Sequence, residues 1–304
     1  MKNLIYTLLF LASLSIGCKK NEAILPVPDT EKQDVIFSIS KFSQTVESLS
    51  KTGASVSAAG DTLSNHAKYL YCYMTPFSGF GPNVMTVQTA DSAGFGTLKL
   101  KLTQGKYNVA FFASTKPLSF FTSFRFDQLQ LLSSGQTHWE DLFILPNYVL
   151  EVGDSTVNAQ VRLPRWTGAV QVNVEDAIPA NASKITFEVT NDASDYSFYA
   201  NHASIRTARK EFILTESQKG QTNQKFLLHL LRLPDYDRNL QTLTIRAYDQ
   251  QNALIVEKKL PQFRNDKNVL TQFTGRLFST APASTSFTVS VNANWDQSGP
   301  TATF

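Results

Sequence analysis

The sequence predicts an all-β protein built from two tandem antiparallel β-sandwich domains. Short segments of alternating apolar and polar residues recur along the chain, at a spacing that suits a sandwich rather than any βαβ unit. Phenylalanine and tyrosine are abundant, at 22 and 10 residues, and large flat side chains suit sheets packed face to face. The strand pattern breaks at Pro164-Arg165 and then resumes in the same style. The expected domains are therefore residues 34–163 and 164–304, a division that the length of the chain also favours.

The strands of the first domain are expected in order as Val35–Ser40, Tyr69–Met74, Leu98–Leu102, Tyr107–Ala113, Tyr148–Val152 and Val157–Leu163. Strict alternation in Leu98-Lys99-Leu100-Lys101-Leu102 marks a sheet with one packed face and one wet face. Gln104-Gly105-Lys106 has the length and the glycine of a hairpin turn between its neighbours. In Tyr69–Met74 the period of two turns Leu70, Cys72 and Met74 to the core and Tyr69, Tyr71 and Tyr73 to the opposite face. That tyrosine face is covered either by the second domain or by a partner. Between these strands, residues 43–67 are rich in Ser, Ala, Thr and Gly and read as a long loop or disordered segment. Residues 118–132 fit neither period and read as irregular chain or a short helix. In the second domain the expected strands are Val170–Val174, Ile185–Val189, Phe212–Leu214, Phe226–Leu233, Leu243–Ala247, Leu254–Leu260 and Phe287–Asn292.

The first residues decide where such a protein would live. Lys2 is followed by an uncharged, mainly apolar run from Leu4 to Ile16, which ends in Ser15-Ile16-Gly17-Cys18. Spanning a bilayer takes ~20 apolar residues, so this shorter run reads as a signal peptide, residues 1–17. Its ending resembles a bacterial lipobox: Gly17 is small enough for a signal peptidase, and the Cys18 thiol is the nucleophile that takes a lipid. Acyl chains contribute about 0.8 kcal/mol per buried methylene, so two or three of them anchor a protein stably without a transmembrane segment. Residues 18–33, with Pro26 and Pro28, read as a lipidated start and a stiffened spacer.

Charge excludes several classes of function. The 28 basic residues are nearly balanced by 25 acidic ones, which offers nothing to nucleic acid. Cys72 is the other of the two cysteines, so the mature fold holds no internal disulfide, and the thiol is expected to be buried and inert. His66, His138, His202 and His229 show no paired spacing, and neither a zinc nor a calcium template is present. Gly79-Phe80-Gly81 and Gly94-Phe95-Gly96 read as turns, and no nucleophile elbow occurs. No enzyme, metal or cofactor is expected. Exposed aromatics could stack on sugars, with Trp139 and Trp295 as the candidates and Trp166 as a third; the alternative places them as buried anchors at strand ends or between domains.

Several short motifs carry a resemblance to a known family. Leu102-Thr-Gln-Gly-Lys-Tyr-Asn-Val109, Asp141-Leu142-Phe143, Val161-Arg162-Leu163-Pro164-Arg165 and Asn268-Val-Leu-Thr-Gln-Phe-Thr-Gly-Arg-Leu-Phe278 follow one another after the lipobox and spacer. In this order the chain resembles the fimbrillin-type, lipid-anchored fimbrial subunits. The resemblance implies transthyretin-like sandwiches at a Gram-negative outer membrane, with other fimbrial subunits as partners. It also implies that strands are added between subunits at sheet edges. Stalk subunits of that family are trimmed after an Arg or Lys in the first domain. Here no arginine precedes Arg125, leaving Lys41 or Lys51, so the anchor or an accessory subunit is the favoured role. The terminal strand, with Phe287, Val289 and Val291, is the candidate for pairing. A surface lipoprotein that binds host or surface glycans is the alternative.

Overall fold

Alternation builds the first half of the molecule. In the computed structural model, which describes residues 31–41, 62–78, 82–121, 129–132, 135–198, 200–231, 240–280, 287–292 and 302–303, the regular secondary structure is almost wholly strand. β1 (Lys32–Lys41) turns Val35, Phe37 and Ile39 inward. It lies between β4 (Thr97–Thr103), which is antiparallel to it, and β9 (Val157–Arg162), which is parallel. Facing them is a second sheet in the order β3-β2-β5-β8, made of β3 (Val84–Thr89), β2 (Tyr69–Pro76), β5 (Gly105–Ser114) and β8 (Leu142–Val152). Leu70, Cys72 and Met74 of β2 meet Phe37 and Val35 in one core. Phe37 and Phe111 pack edge to face there, with ring centres 5.0 Å apart, the arrangement that ring quadrupoles favour. A single helical turn, Leu63–His66, adds Leu63 to the same core.

The second half repeats this strand order. β10 (Thr167–Val174) lies between β14 (Gln224–Leu231), antiparallel, and β17 (Leu270–Gly275), parallel. The facing sheet runs β13-β11-β15-β16, from β13 (Ile205–Ile213), β11 (Ala182–Ala193), β15 (Leu243–Asp249) and β16 (Leu254–Lys259). Val170, Val172, Phe187, Phe226 and Phe273 fill a second core. One addition distinguishes the halves: β18 (Phe287–Asn292) pairs with the outer side of β17, and β19 (Ala302–Thr303) pairs with β18.

A third core lies between the halves. The outer face of β2 and β5 presents Tyr71, Tyr73, Ala110 and Phe112, which meet Trp166, Ala193, Tyr196 and Leu231 of the second half. The tyrosine face is thus covered by the rest of the same chain. A small sheet closes this region, where β7 (Gln130–Leu132) pairs with β6 (Ser119–Phe121) on one side and with β12 (Asp195–Ser197) of the second half on the other.

Two expectations are corrected. Gln104-Gly105-Lys106 does not close a hairpin: β4 pairs with β1, whereas β5 pairs with β2 and β8, so the turn carries the chain from one sheet to the other. The Tyr107 hydroxyl donates to the Thr103 carbonyl at 2.9 Å and holds this corner. Residues 118–132 do not include a helix among those described. Their ends are β6 and β7, which pair with each other because Phe120 and Leu131 pack into the third core. β3 and β12 were not anticipated: the half-exposed Val84–Thr89 shows little apolar contrast, and Asp195–Ser197 is too short to show a period. The long loop expected before β2 lies largely outside the described residues, as does Gly79-Phe80-Gly81.

Cys72 is fully buried, and burial pushes its thiol up to about 12. A charged thiolate is disfavoured where water is excluded. Native protein at pH 8 is therefore expected to show negligible labelling at Cys72 with a thiol reagent over hours, rising to completion in denaturant. Rapid native labelling would contradict the inward register of β2.

Candidate functional site

The most constrained polar group in the molecule sits where the halves join. Asp141 precedes β8, Arg165 lies in the link between β9 and β10, and the turn before β17 supplies Asn268. Arg165 donates from Nε to Asp141 Oδ1 at 2.9 Å and from Nη2 to Oδ2 at 2.9 Å, the bidentate geometry that makes such pairs strong. Its Nη1 donates to Asn268 Oδ1 at 3.2 Å. The Thr167 hydroxyl donates to Asp141 Oδ1 at 2.9 Å, and Asn268 donates its backbone N–H to the Thr167 carbonyl at 2.9 Å. Asn268 adopts φ 57, a left-handed turn that asparagine tolerates better than most residues. The guanidinium lies 5.0 Å from the centre of the Phe143 ring. Both members of the ion pair are buried.

A second polar contact stands nearby. Asp192 at the end of β11 is wholly buried; its Oδ1 accepts from the Leu231 N–H at 2.9 Å and its Oδ2 from Arg206 Nε at 3.2 Å. Burial raises its carboxyl to about 7, against the opposing pull of Arg206 and the Leu231 N–H. Arg206 also lies over the Trp139 ring, 5.4 Å from its centre, and the Trp139 indole N–H donates to the Ala193 carbonyl.

These contacts locate the residues expected to act. Trp139 is 2% exposed, with a ring face covered by Arg206, so it is an anchor between the halves and offers no surface for a sugar. Trp166 is also buried, and the Lys267 ammonium lies 3.2 Å from its ring centre. Phe287, Val289 and Val291 lie on β18, opposite Gly275, Phe273 and Thr271. Phe287 belongs to the second core and Val289 packs against it, so these two side chains serve the fold of their own half, while Val291 is half-buried. Cys18 and Trp295 lie outside the described residues.

Sequence spacing kept the histidines apart, yet the fold brings His138 and His229 near Glu140 and Lys210. His138 Nε2 lies 3.5 Å from Glu140 Oε1, and the bond to His138 is the main reason the Glu140 carboxyl is held low. Burial lowers the Lys210 ammonium and pushes His229 down to about 4, so His229 is neutral at pH 7. Among the described residues no three metal-ligating groups converge. Beside this group Thr137 exchanges backbone and hydroxyl bonds with Arg209 of β13, at 2.8 and 2.7 Å, tying the first half to the second.

Two outcomes are expected at this junction. Asp141→Ala strands a buried guanidinium and should lower the unfolding free energy by about 3–5 kcal/mol in urea denaturation, whereas Asp141→Ala with Arg165→Met should recover most of the loss. Asp192 has a folded carboxyl above its ordinary 3.8, so its contribution is full below pH 4 and is lost as pH rises towards 7. The difference in stability between Asp192→Asn and wild type should therefore shift in favour of the variant from pH 4 to 7. Parallel pH profiles for the two proteins would refute this.

No protein-family model matches the chain, and neither does any curated protein. Solved structures do. The chain is similar to a candidate adhesin from Bacteroides thetaiotaomicron, with a TM-score of 0.51 and 12% identity over 88% of this chain and 98% of that one. It is similar to candidate polysaccharide-binding proteins from the same organism, with a TM-score of 0.50 and 12% identity over 90% and 98% of the two chains. It is more loosely similar to the fimbrial anchor protein Mfa2 from Porphyromonas gingivalis, at a TM-score of 0.43 and 12% identity over 86% and 98%. At such identities the likeness is one of fold, and that fold spans nearly the whole of the adhesin.

Proposed function

We propose that the chain is a lipid-anchored fimbrial subunit of the outer membrane, the anchor or an accessory subunit, which holds a pilus by pairing strands with a neighbouring subunit. In this reading the halves are tandem transthyretin-like domains divided between Leu163 and Pro164, and Cys18 carries the lipid. The observation that supports it most is the fold shared over 98% of an adhesin-class chain, in a sequence whose apolar leader ends at Cys18. The buried junction suits the role, because a subunit between membrane and pilus must pass tension from one half to the other without opening. Strand pairing suits it as well, since main-chain bonds can join subunits of unlike sequence.

A second reading follows from the similar structures described as polysaccharide-binding. The chain would then be a surface lipoprotein that binds glycans. With Trp139 enclosed, stacking would fall to Trp295 or another exposed aromatic.

Mass spectrometry of the protein from native membranes separates the two. The expected result is a triacylated Cys18 peptide, a chain continuous through Lys51 and a fimbrial subunit co-purifying with it. A chain beginning after Lys41 or Lys51 would make it a polymerising stalk or tip subunit instead. Lipid without a partner, together with wild-type binding on a glycan array that Trp295→Ala abolishes, would establish the glycan reading.

A further inference from the structure

The halves share a strand order but differ at one edge. In the second half the outer side of β17 is covered by β18 along six residues, from Leu270 opposite Asn292 to Gly275 opposite Phe287. In the first half β9 holds the equivalent place, parallel to the central strand on its inner side. Among the described residues no strand pairs with its outer side.

Edges left open are usually blunted by charge or proline, because unpaired N–H and C=O groups recruit other chains. Most edges here follow that rule: β4 carries Lys99 and Lys101, β8 carries Pro146, β13 carries Arg209, β14 carries Lys225 and β16 carries Glu257. From Val157 to Val161, β9 carries neither. β3 is also uncharged, but its counterpart in the second half, β13, is met by the Thr137 segment rather than by a full strand. The chain itself therefore shows what covers the outer side of β17, and by the same topology what fits β9.

We propose that β9 is an acceptor edge, on which an antiparallel six-residue strand from another polypeptide pairs with Thr156–Val161 in the register that β18 takes on β17. Phe37 and Val172 are the middle inward residues of the two central strands, and they pair with Ala159 and Phe273. Ala159 thus corresponds to Phe273, Val157 to Thr271 and Val161 to Gly275. The guest must be uncharged and carry branched or aromatic residues opposite Val157, Ala159 and Val161, as β18 places Val291, Val289 and Phe287. Opposite the exposed Asn158 and Gln160 it carries small polar residues, as β18 places Ser290 and Thr288. The inference rests on the subunit-pairing reading for the source of the guest and on the duplicated topology for its place and register.

The test uses the full chain carrying Cys18→Ser, with Gln160→Cys or Asn158→Cys added, and two peptides of residues 286–293 bearing an activated cysteine in place of Thr288 or of Ser290. Cys72 is buried and does not compete. Proximity in the paired strand should make Gln160→Cys form a disulfide on the order of ten-fold faster with the first peptide than with the second. Asn158→Cys should show the reverse preference, and Thr86→Cys on β3 should react slowly with both. Rates blind to peptide register, a reversed preference, or equal rates at β3 would overturn the acceptor edge. Those results would leave the fimbrial reading to the membrane peptide analysis, which does not depend on them.

Discussion

The bidentate pair between Asp141 and Arg165 is the constraint on which the arrangement of the halves depends. Both groups leave water, and that loss is offset because each nitrogen of the guanidinium finds an acceptor and the carboxylate also receives the Thr167 hydroxyl. The pair joins the start of β8, the link between β9 and β10, and the turn before β17. Moving any one of these segments would leave a charge buried without its partner, so the first and second halves are held in one relation. The third core around Trp166, Tyr196, Tyr71 and Tyr73 supplies apolar area, and the ion pair supplies direction.

Duplication explains much of the rest. Each half places its first strand at the centre of one sheet, antiparallel to one neighbour and parallel to another. Each encloses its own core of Val, Leu and Phe. On the outer face of the second half, Glu188, Arg246, Arg209 and Glu257 form a cross-strand chain of ion pairs. Such a network pairs these charges with one another at the surface. The aromatic face of the first half cannot do so and is therefore the one turned against the neighbour.

The titratable groups that converge, His138, Glu140, Lys210 and His229, are all half-buried at the junction, and His138 bonds the Arg209 carbonyl and faces Glu140. Trp139, one of the candidates for stacking on a sugar, is used there as well. In the proposed role recognition falls to strand edge, where affinity comes from main-chain groups and selectivity from alternate side chains.

The class of the fold, most strand positions and the inward register of β2 are legible in the order of residues, because period-two alternation is local and the burial of Leu70, Cys72 and Met74 follows from it. The sequence also flagged Asp141, Arg165 and Asn268 as members of short motifs. It did not reveal that they meet, since contacts across 24 and 103 residues leave no local period. The tertiary structure alone decided that β4 and β5 part at Gly105 and that residues 118–132 end in paired strands. It also decided that the tyrosine face is covered from within the chain and that, among the described residues, no strand covers β9 as β18 covers β17. Each of these depends on which strand lies beside which. Hydrogen bonding between strands is made by the backbone, common to every residue, so the side-chain pattern marks a strand without naming its neighbour.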